Sequence, residues 1–381
     1  MKKILYTIIL LILFTASPLF AQTFKIEIPY RSIAGKLVLE MKVGGTPQHL
    51  VLDTGGRTAF LESWAKEHRL TAGDTLRVTD VNGNSEAYRQ IVVNSISTID
   101  DKVNFTDIPA LLLPEDPGLS CLNAIGIIGS DMLVDKLLII DSQKKLITIA
   151  SAITAPNVSL RRMIDFVQPG MPIITLQIGT GTFIRALFDT GSPQLLSLSA
   201  SDYDDIKDSR TVSLMSQGKG ESNIGVSGRG EHTNMERMNI PLLSVGATKF
   251  YDVVTTTAQL PISLLGTCLL DYGRVTIDYK RNRFYLEPYK PDKKIKFKKK
   301  YNDFALTIDK DGNLIIANVW DKLYNLIDVG DKVIEINGKP TQKYDFCESL
   351  VNGIPELKKR KKSTLTVATQ NGEKYVTYIR Q

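Results

Sequence analysis

Apolar and polar residues alternate over short stretches of the chain, the two-residue period of half-buried β-strands. With its β-branched content, this pattern predicts strands over 37–43, 50–53, 90–97, 136–141 and 146–150. The pattern returns over 172–178, 185–189, 239–243, 274–278 and 284–287. IIDSQKKLIT and TIDYKRNRFYL each set a polar turn between two apolar runs and read as hairpins. Helical periodicity is scarce: residues 62–69 form one short amphipathic stretch, and 199–208 are its candidate counterpart.

The two sets of strands are copies. HLVLDTGGRTAFL at 49–61 is echoed by ALFDTGSPQLL at 186–196, so Asp53-Thr54-Gly55 recurs as Asp189-Thr190-Gly191, 136 residues on (189 − 53). Downstream, AIGIIGSDMLVDKLLIIDSQKKLITI recurs as PISLLGTCLLDYGRVTIDYKRNRFYL, and their glycines, Gly129 and Gly266, lie 137 apart (266 − 129). A spacing held that well marks a duplicated lobe, and two copies do not make a solenoid. From Tyr301 the chain changes character. DGNLIIANV, LIDVGDKVIEINGKP, a helix-like YDFCESLVNGI and STLTVATQNGEKYVTYI predict a small α+β domain, near the lower size limit for folding alone. The expected organisation is a leader over 1–21, a first lobe over 22–155, a second over 156–289, a basic linker over 290–300 and a C-terminal domain over 301–381.

A net charge of +6 suggests affinity for nucleic acid or membrane, but its distribution removes that reading. KPDKKIKFKKK, the linker, holds seven lysines and one aspartate and accounts for all of it. Such a run reads as a solvated connection. At the N-terminus, Met-Lys-Lys, an apolar run over 4–14 and Ala21 before Gln22 have the form of a secretory signal cut after Ala21. The run is shorter than the roughly 20 residues of a membrane span. The expectation is a bacterial protein exported to the periplasm or beyond, with no membrane span once the leader is removed. Cys121, Cys268 and Cys347 are widely spaced, with no C-x-x-C, and read as buried free thiols, a Cys121–Cys268 bridge being the alternative.

Two aspartates, each ending an apolar strand and each followed by Thr-Gly, carry the chemistry. Glycine lets the backbone turn sharply and approach another segment, and threonine offers a hydroxyl to backbone groups within a turn. Two such loops facing each other bring two carboxylates together, and like charges in contact share one proton. One ionised base and one neutral acid then act on a single water, which is general acid–base hydrolysis of an amide without a covalent intermediate. Other chemistries lack their residues. His49, His68 and His232 form no H-E-x-x-H. Ser142 to Lys145 matches S-x-x-K only within a hairpin turn, no phosphate-binding loop occurs, and DKDGN at 309–313 lacks the distal glutamate of a calcium loop. No metal and no organic cofactor is expected.

LDTGG, FDTGS and the downstream Ile127-Ile128-Gly129 and Leu264-Leu265-Gly266 resemble the aspartic proteases, and the half-size lobes resemble their retropepsin-like group. The resemblance implies a mostly β fold of two duplicated barrel lobes forming one bilobed protease. It matches Asp53 and Asp189 to the catalytic pair and Thr54 and Thr190 to threonines that cross-brace the loops. Gly55, Gly191 and Ser192 are matched to loop support, and Gly129 and Gly266 to glycines threading behind the loops. Each lobe can supply a flap, with Asn82-Gly83-Asn84 and the stretch Gly225 to Gly230, which holds Gly228, as candidate tips. Gly56 departs from the pattern, since Ser, Thr or Ala is usual there. A carboxylate deprived of a hydrogen bond to its charged form keeps its proton more readily, so Asp189 is expected to be the base and Asp53 to hold the shared proton.

The C-terminal segment DVGDKVIEINGKP, Asp328 to Pro340, resembles a PDZ domain. The resemblance places peptide binding near Phe304, Ala305 and Leu306, although the glycines that usually open a carboxylate-binding loop are missing there. The sequence thus points to an exported aspartic endopeptidase acting on an extended polypeptide. It acts as a monomer, since both aspartates are in one chain, and carries a peptide-recognition domain. The rival is an inactive, protease-like peptide adaptor of the cell envelope.

Overall fold

The computed structural model describes residues 23–79, 85–152, 156–221, 224–225, 228–229, 232–291, 293–297 and 301–380. The leader and the candidate flap tip at Gly83 lie outside the described residues.

The first lobe opens with β1 (Lys25–Ile33), β2 (Lys36–Val43) and β3 (Thr46–Asp53), an antiparallel run whose alternate side chains enter the core. Past the Asp53 loop come β4 (Ala59–Leu61), helix α1 (Glu62–Glu67), and a long hairpin of β5 (Thr75–Thr79) and β6 (Ser85–Ser97). Then follow β7 (Asn104–Leu113), α2 (Pro117–Cys121), β8 (Ala124–Gly129), β9 (Lys136–Asp141) and β10 (Leu146–Ser151). The second lobe repeats the series: β11 (Met163–Asp165), β12 (Ile173–Ile178), β13 (Thr182–Phe188), β14 (Leu196–Ser199) and α3 (Ala200–Ile206). It continues through β15 (Ser213–Glu221), β16 (Ile224–Gly225), β17 (Gly228–Arg229), β18 (His232–Val245), β19 (Thr248–Ala258), β20 (Ser263–Leu265), β21 (Gly273–Asp278) and β22 (Arg283–Pro288). This is the mostly β architecture of two duplicated lobes expected from the repeat.

The lobes are fused through their last hairpins. Strand β9 pairs antiparallel with β21, Leu138 opposite Ile277, and the ladder runs β11-β22-β21-β9-β10-β1 across both halves. Leu138, Ile140, Val275 and Ile277 are fully buried in it, so one continuous hydrophobic core spans the two lobes. Each aspartate loop rises from this common floor.

Beyond the second lobe, β23 (Ile295–Lys296) lies parallel to β19, and Phe297 is buried. The basic run is therefore not a free linker. Its apolar residues anchor it on the second lobe while Lys293, Lys294 and Lys296 stay in solvent. The C-terminal domain comprises β24 (Phe304–Ile308), β25 (Leu314–Trp320), β26 (Lys332–Ile336), β27 (Lys339–Pro340), α4 (Phe346–Asn352), α5 (Pro355–Lys358), β28 (Lys362–Thr369) and β29 (Gly372–Ile379). It has its own core around Ile316, Val319, Leu365 and Val367.

This domain is held by both lobes. Strand β25 pairs with β15 of the second lobe's long hairpin, Gly218 opposite Trp320, which extends that lobe's sheet into the domain. A side chain at Gly218 would put its Cβ 2.5 Å from the Trp320 ring, so glycine is what lets the strands close up. Behind the junction Arg237, 4 % exposed, lies between the Tyr301 and Trp320 rings, 4.4 and 3.9 Å from their centroids. It donates to Asp303 Oδ1 (2.9 Å) and to the Asn302 carbonyl (2.8 Å).

On the other side Cys121 of α2 and Cys347 of α4 form a disulfide, and Cys268 lies outside it. The expectation of thiols is corrected at Cys121 and Cys347, and the Cys121–Cys268 alternative with it. The bond joins the first lobe to a domain 226 residues away, a pairing that only the docking of α2 on α4 creates. Reduction, or the Cys121→Ser/Cys347→Ser double variant, is expected to lower the stability of the docked domain by about 2–4 kcal/mol. The check is the urea midpoint read from Trp320 fluorescence in a Trp64→Phe background.

Candidate active site

Asp53 closes β3 and Asp189 follows β13, so each carboxylate stands where a buried strand gives way to a tight turn. In each loop the glycine two residues on donates back to its aspartate: Gly55 N to Asp53 Oδ1 at 3.0 Å, Gly191 N to Asp189 Oδ1 at 2.7 Å. The loops then exchange threonines. The Thr54 amide donates to Thr190 Oγ1 (3.0 Å) and the Thr190 amide to Thr54 Oγ1 (3.1 Å). Thr54 Oγ1 in turn donates to the Phe188 carbonyl (2.6 Å), and Thr190 Oγ1 to the Leu52 carbonyl (2.8 Å). Four buried hydrogen bonds in a two-fold pattern lock the loops to each other, and each hydroxyl both donates and accepts.

This lock brings the carboxylates together. A methyl group on Gly55 would lie 2.6 Å from Asp189 Cγ, and one on Gly191 would lie 2.7 Å from Asp53 Oδ2. The two carboxyl groups thus face each other at close quarters, where both cannot ionise freely. Asp189 is 4 % exposed, whereas Asp53 is half-buried. Burial first, then the Asp53 charge and the hydrogen bond to it, push the Asp189 carboxyl well above the usual carboxylate range. Its deeper burial favours the neutral form of Asp189, a direction that runs against the order expected from Gly56. Gly56 and Ser192 serve alike through their backbones: their amides donate to the Asp53 and Asp189 carbonyls at 3.3 and 3.1 Å.

Gly129 and Gly266 sit behind the loops. A Cβ on Gly129 would be 2.3 Å from the Arg57 carbonyl carbon, and one on Gly266 would be 2.3 Å from the carbonyl oxygens of Ser192 and Gln194. The next residue in each copy carries a hydroxyl. Ser130 Oγ donates to the Thr54 carbonyl and meets Tyr279 Oη at 3.3 Å, while Thr267 Oγ1 bonds the carbonyls of Gly35 (2.8 Å) and Ser192 (3.2 Å). Ser130 and Thr267 were legible in the repeat as paired hydroxyls after paired glycines. Lys36, whose Nζ donates to the Gly191 carbonyl, carries no such signal.

The remaining candidates lie elsewhere. Gly225 and Gly228 face each other in the two-residue ladder of β16 and β17, inside the hairpin of the second lobe. Phe304, Ala305 and Leu306 lie on β24, joined to β25, with Phe304 buried in the C-terminal core. Among the described residues no group of three or more His, Cys, Asp or Glu side chains is placed to hold a metal ion. Among them, too, no helix is long and apolar enough to cross a membrane.

No protein-family model and no curated protein matches the chain. Among solved structures, a retropepsin-like aspartic protease from Rickettsia conorii is 19 % identical, with a TM-score of 0.25 over 34 % of this chain and 92 % of that one. An aspartic proteinase from Irpex lacteus is 11 % identical, with a TM-score of 0.43 over 70 % of this chain and 97 % of that one. Both identities are below 25 % and both TM-scores below 0.5, so neither match says what this chain does.

Proposed function

We propose that the chain is an exported, single-chain aspartic endopeptidase that hydrolyses an extended polypeptide held between its lobes. The observation that supports this most directly is the pair of carboxyl groups, Asp189 buried and Asp53 half-exposed, brought face to face by threonine-locked loops. A water between them gives a proton to Asp53 as its oxygen attacks the peptide carbonyl, while Asp189 donates its proton to the carbonyl oxygen. The resulting tetrahedral diol collapses as Asp53 gives a proton to the departing nitrogen and Asp189 takes one from a diol hydroxyl, leaving a free acid and a free amine and both aspartates as they began. Thr54, Gly55, Thr190, Gly191 and Ser192 hold the loops still during these transfers. No cofactor enters, and one chain completes the site.

The C-terminal domain, read as PDZ-like, is a second recognition element in this proposal. An extended peptide added beside β24, along Phe304 to Leu306, would be held by main-chain hydrogen bonds. Asp303, at the entry to that strand, is committed to Arg237 and is itself acidic. Internal segments therefore suit this edge better than a C-terminal carboxylate.

Incubation with casein and a peptide library from acidic to neutral pH is expected to yield internal cleavage that a pepstatin-like inhibitor blocks. Intact substrate throughout that range overturns the proposal and leaves the inactive adaptor as the reading.

A further inference from the structure

The dyad is not electrostatically symmetrical, and the source of the asymmetry lies outside the two aspartate loops. The turn between β1 and β2 crosses to the second lobe. Gly35, at φ +78°, places its Cα so that a Cβ would stand 2.5 Å from Pro193 Cβ, and the Gly35 carbonyl accepts from Thr267 Oγ1 at 2.8 Å. Fixed in this way, the turn projects the next residue, half-buried Lys36, onto the loop that carries Asp189, where its Nζ donates to the Gly191 carbonyl. The amide of that same Gly191 donates to Asp189. The corresponding turn of the second lobe contributes Met171 and Pro172, which carry no charge, so that turn brings Asp53 no counterpart cation.

We propose that Lys36 is a positioning residue of the dyad: it clamps the Gly191 peptide that holds Asp189 and puts one positive charge on the Asp189 side of the pair. A cation there favours ionised Asp189 and opposes the burial and the Asp53 charge that keep it neutral. Among the described residues, Tyr279, buried beyond Ser130, and Asp131, which pairs with Arg57 on the first lobe, also stand near the pair. Neither lies on the Asp189 loop. Lys36 thus lowers the pH at which the pair gives up its shared proton. Given the endopeptidase reading, on which this inference rests, Lys36 confines activity to the acidic side.

The test follows the pair's carboxyl resonances against pH in protein labelled with carboxyl-13C aspartate, identified by their loss in Asp189→Asn. Lys36→Gln keeps a donor for the Gly191 carbonyl without charge, Lys36→Met removes both, and Lys36→Arg keeps the charge. Loss of the shared proton is expected to move to higher pH in the Gln and Met variants and to stay in place in the Arg variant, with thermal unfolding cooperative in all three. An unmoved titration in folded Lys36→Gln, or an equal shift in Lys36→Arg, overturns the proposal. The resonances report whether or not the chain cleaves peptides, so a failure of the endopeptidase reading is seen separately in the casein digest.

Discussion

Asp189→Asn is expected to lose hydrolysis by about 10³-fold or more while gaining stability at neutral pH. The loss follows from the chemistry: an amide cannot give its proton to the carbonyl oxygen of the substrate. Asp53→Asn is expected to be equally inactive, because the base is gone. Both variants fold, since an asparagine oxygen still accepts from Gly191 or Gly55 and its NH₂ still donates across the dyad. The gain follows from linkage. Asp189 in the folded protein binds its proton well above the pH at which an unfolded aspartate, with a pKa of about 3.9, releases it. A group of this kind contributes its stability in full below the unfolded value and loses it as pH rises toward and through the folded one. Wild-type stability should therefore decline from acidic to neutral pH, and Asp189→Asn should flatten that decline. Urea midpoints of the two proteins from pH 4 to pH 8, beside initial rates on one peptide, check both halves; parallel slopes would show that Asp189 is not the proton's holder.

The second large effect is structural. Gly266→Ala is expected to destabilise the fold by about 4 kcal/mol or more, in the range that marks a named steric failure. The added methyl would meet two backbone carbonyl oxygens at 2.3 Å, and neither can rotate away. Those carbonyls belong to Ser192 and Gln194, in and just after the Asp189 loop, so the strain would also misplace the dyad. Gly181→Ala, in the turn before β13 with open space around the new Cβ, is the control, and should stay within about 0.5 kcal/mol of wild type. Denaturant midpoints of the two variants decide the comparison; equal midpoints would remove the threading role assigned to Gly266.

The aspartate loops were legible because their logic is local: a strand, a turn and a glycine contact repeated twice at fixed offset identify themselves. The terminal hairpins were legible for the same reason. What joins the pieces was not. The pairing of β9 with β21 depends on two strands meeting across the pseudo-two-fold axis, and both already have the alternation of any buried strand. The β15–β25 junction turns on Gly218 fitting beneath Trp320, two residues with nothing in their surroundings to connect them. Three cysteines gave parity but no partner, because Cα separation is a property of the folded chain. The direction in which burial pushes Asp189 runs against the expectation drawn from Gly56, which weighed one hydroxyl where burial could not be weighed. The exposures of Asp53 and Asp189 are set by how the lobes close over them, and their flanking residues look equivalent.

The Cys121–Cys347 bond makes most of the molecule a covalent ring. The second lobe, the basic run and half of the C-terminal domain lie within it, and the exposed Lys293, Lys294 and Lys296, open to a trypsin-like enzyme, are on its circumference. A single nick there opens the circle without releasing either fragment. A chain cut there would keep its C-terminal domain leashed to its two lobes for as long as the surroundings stay oxidising.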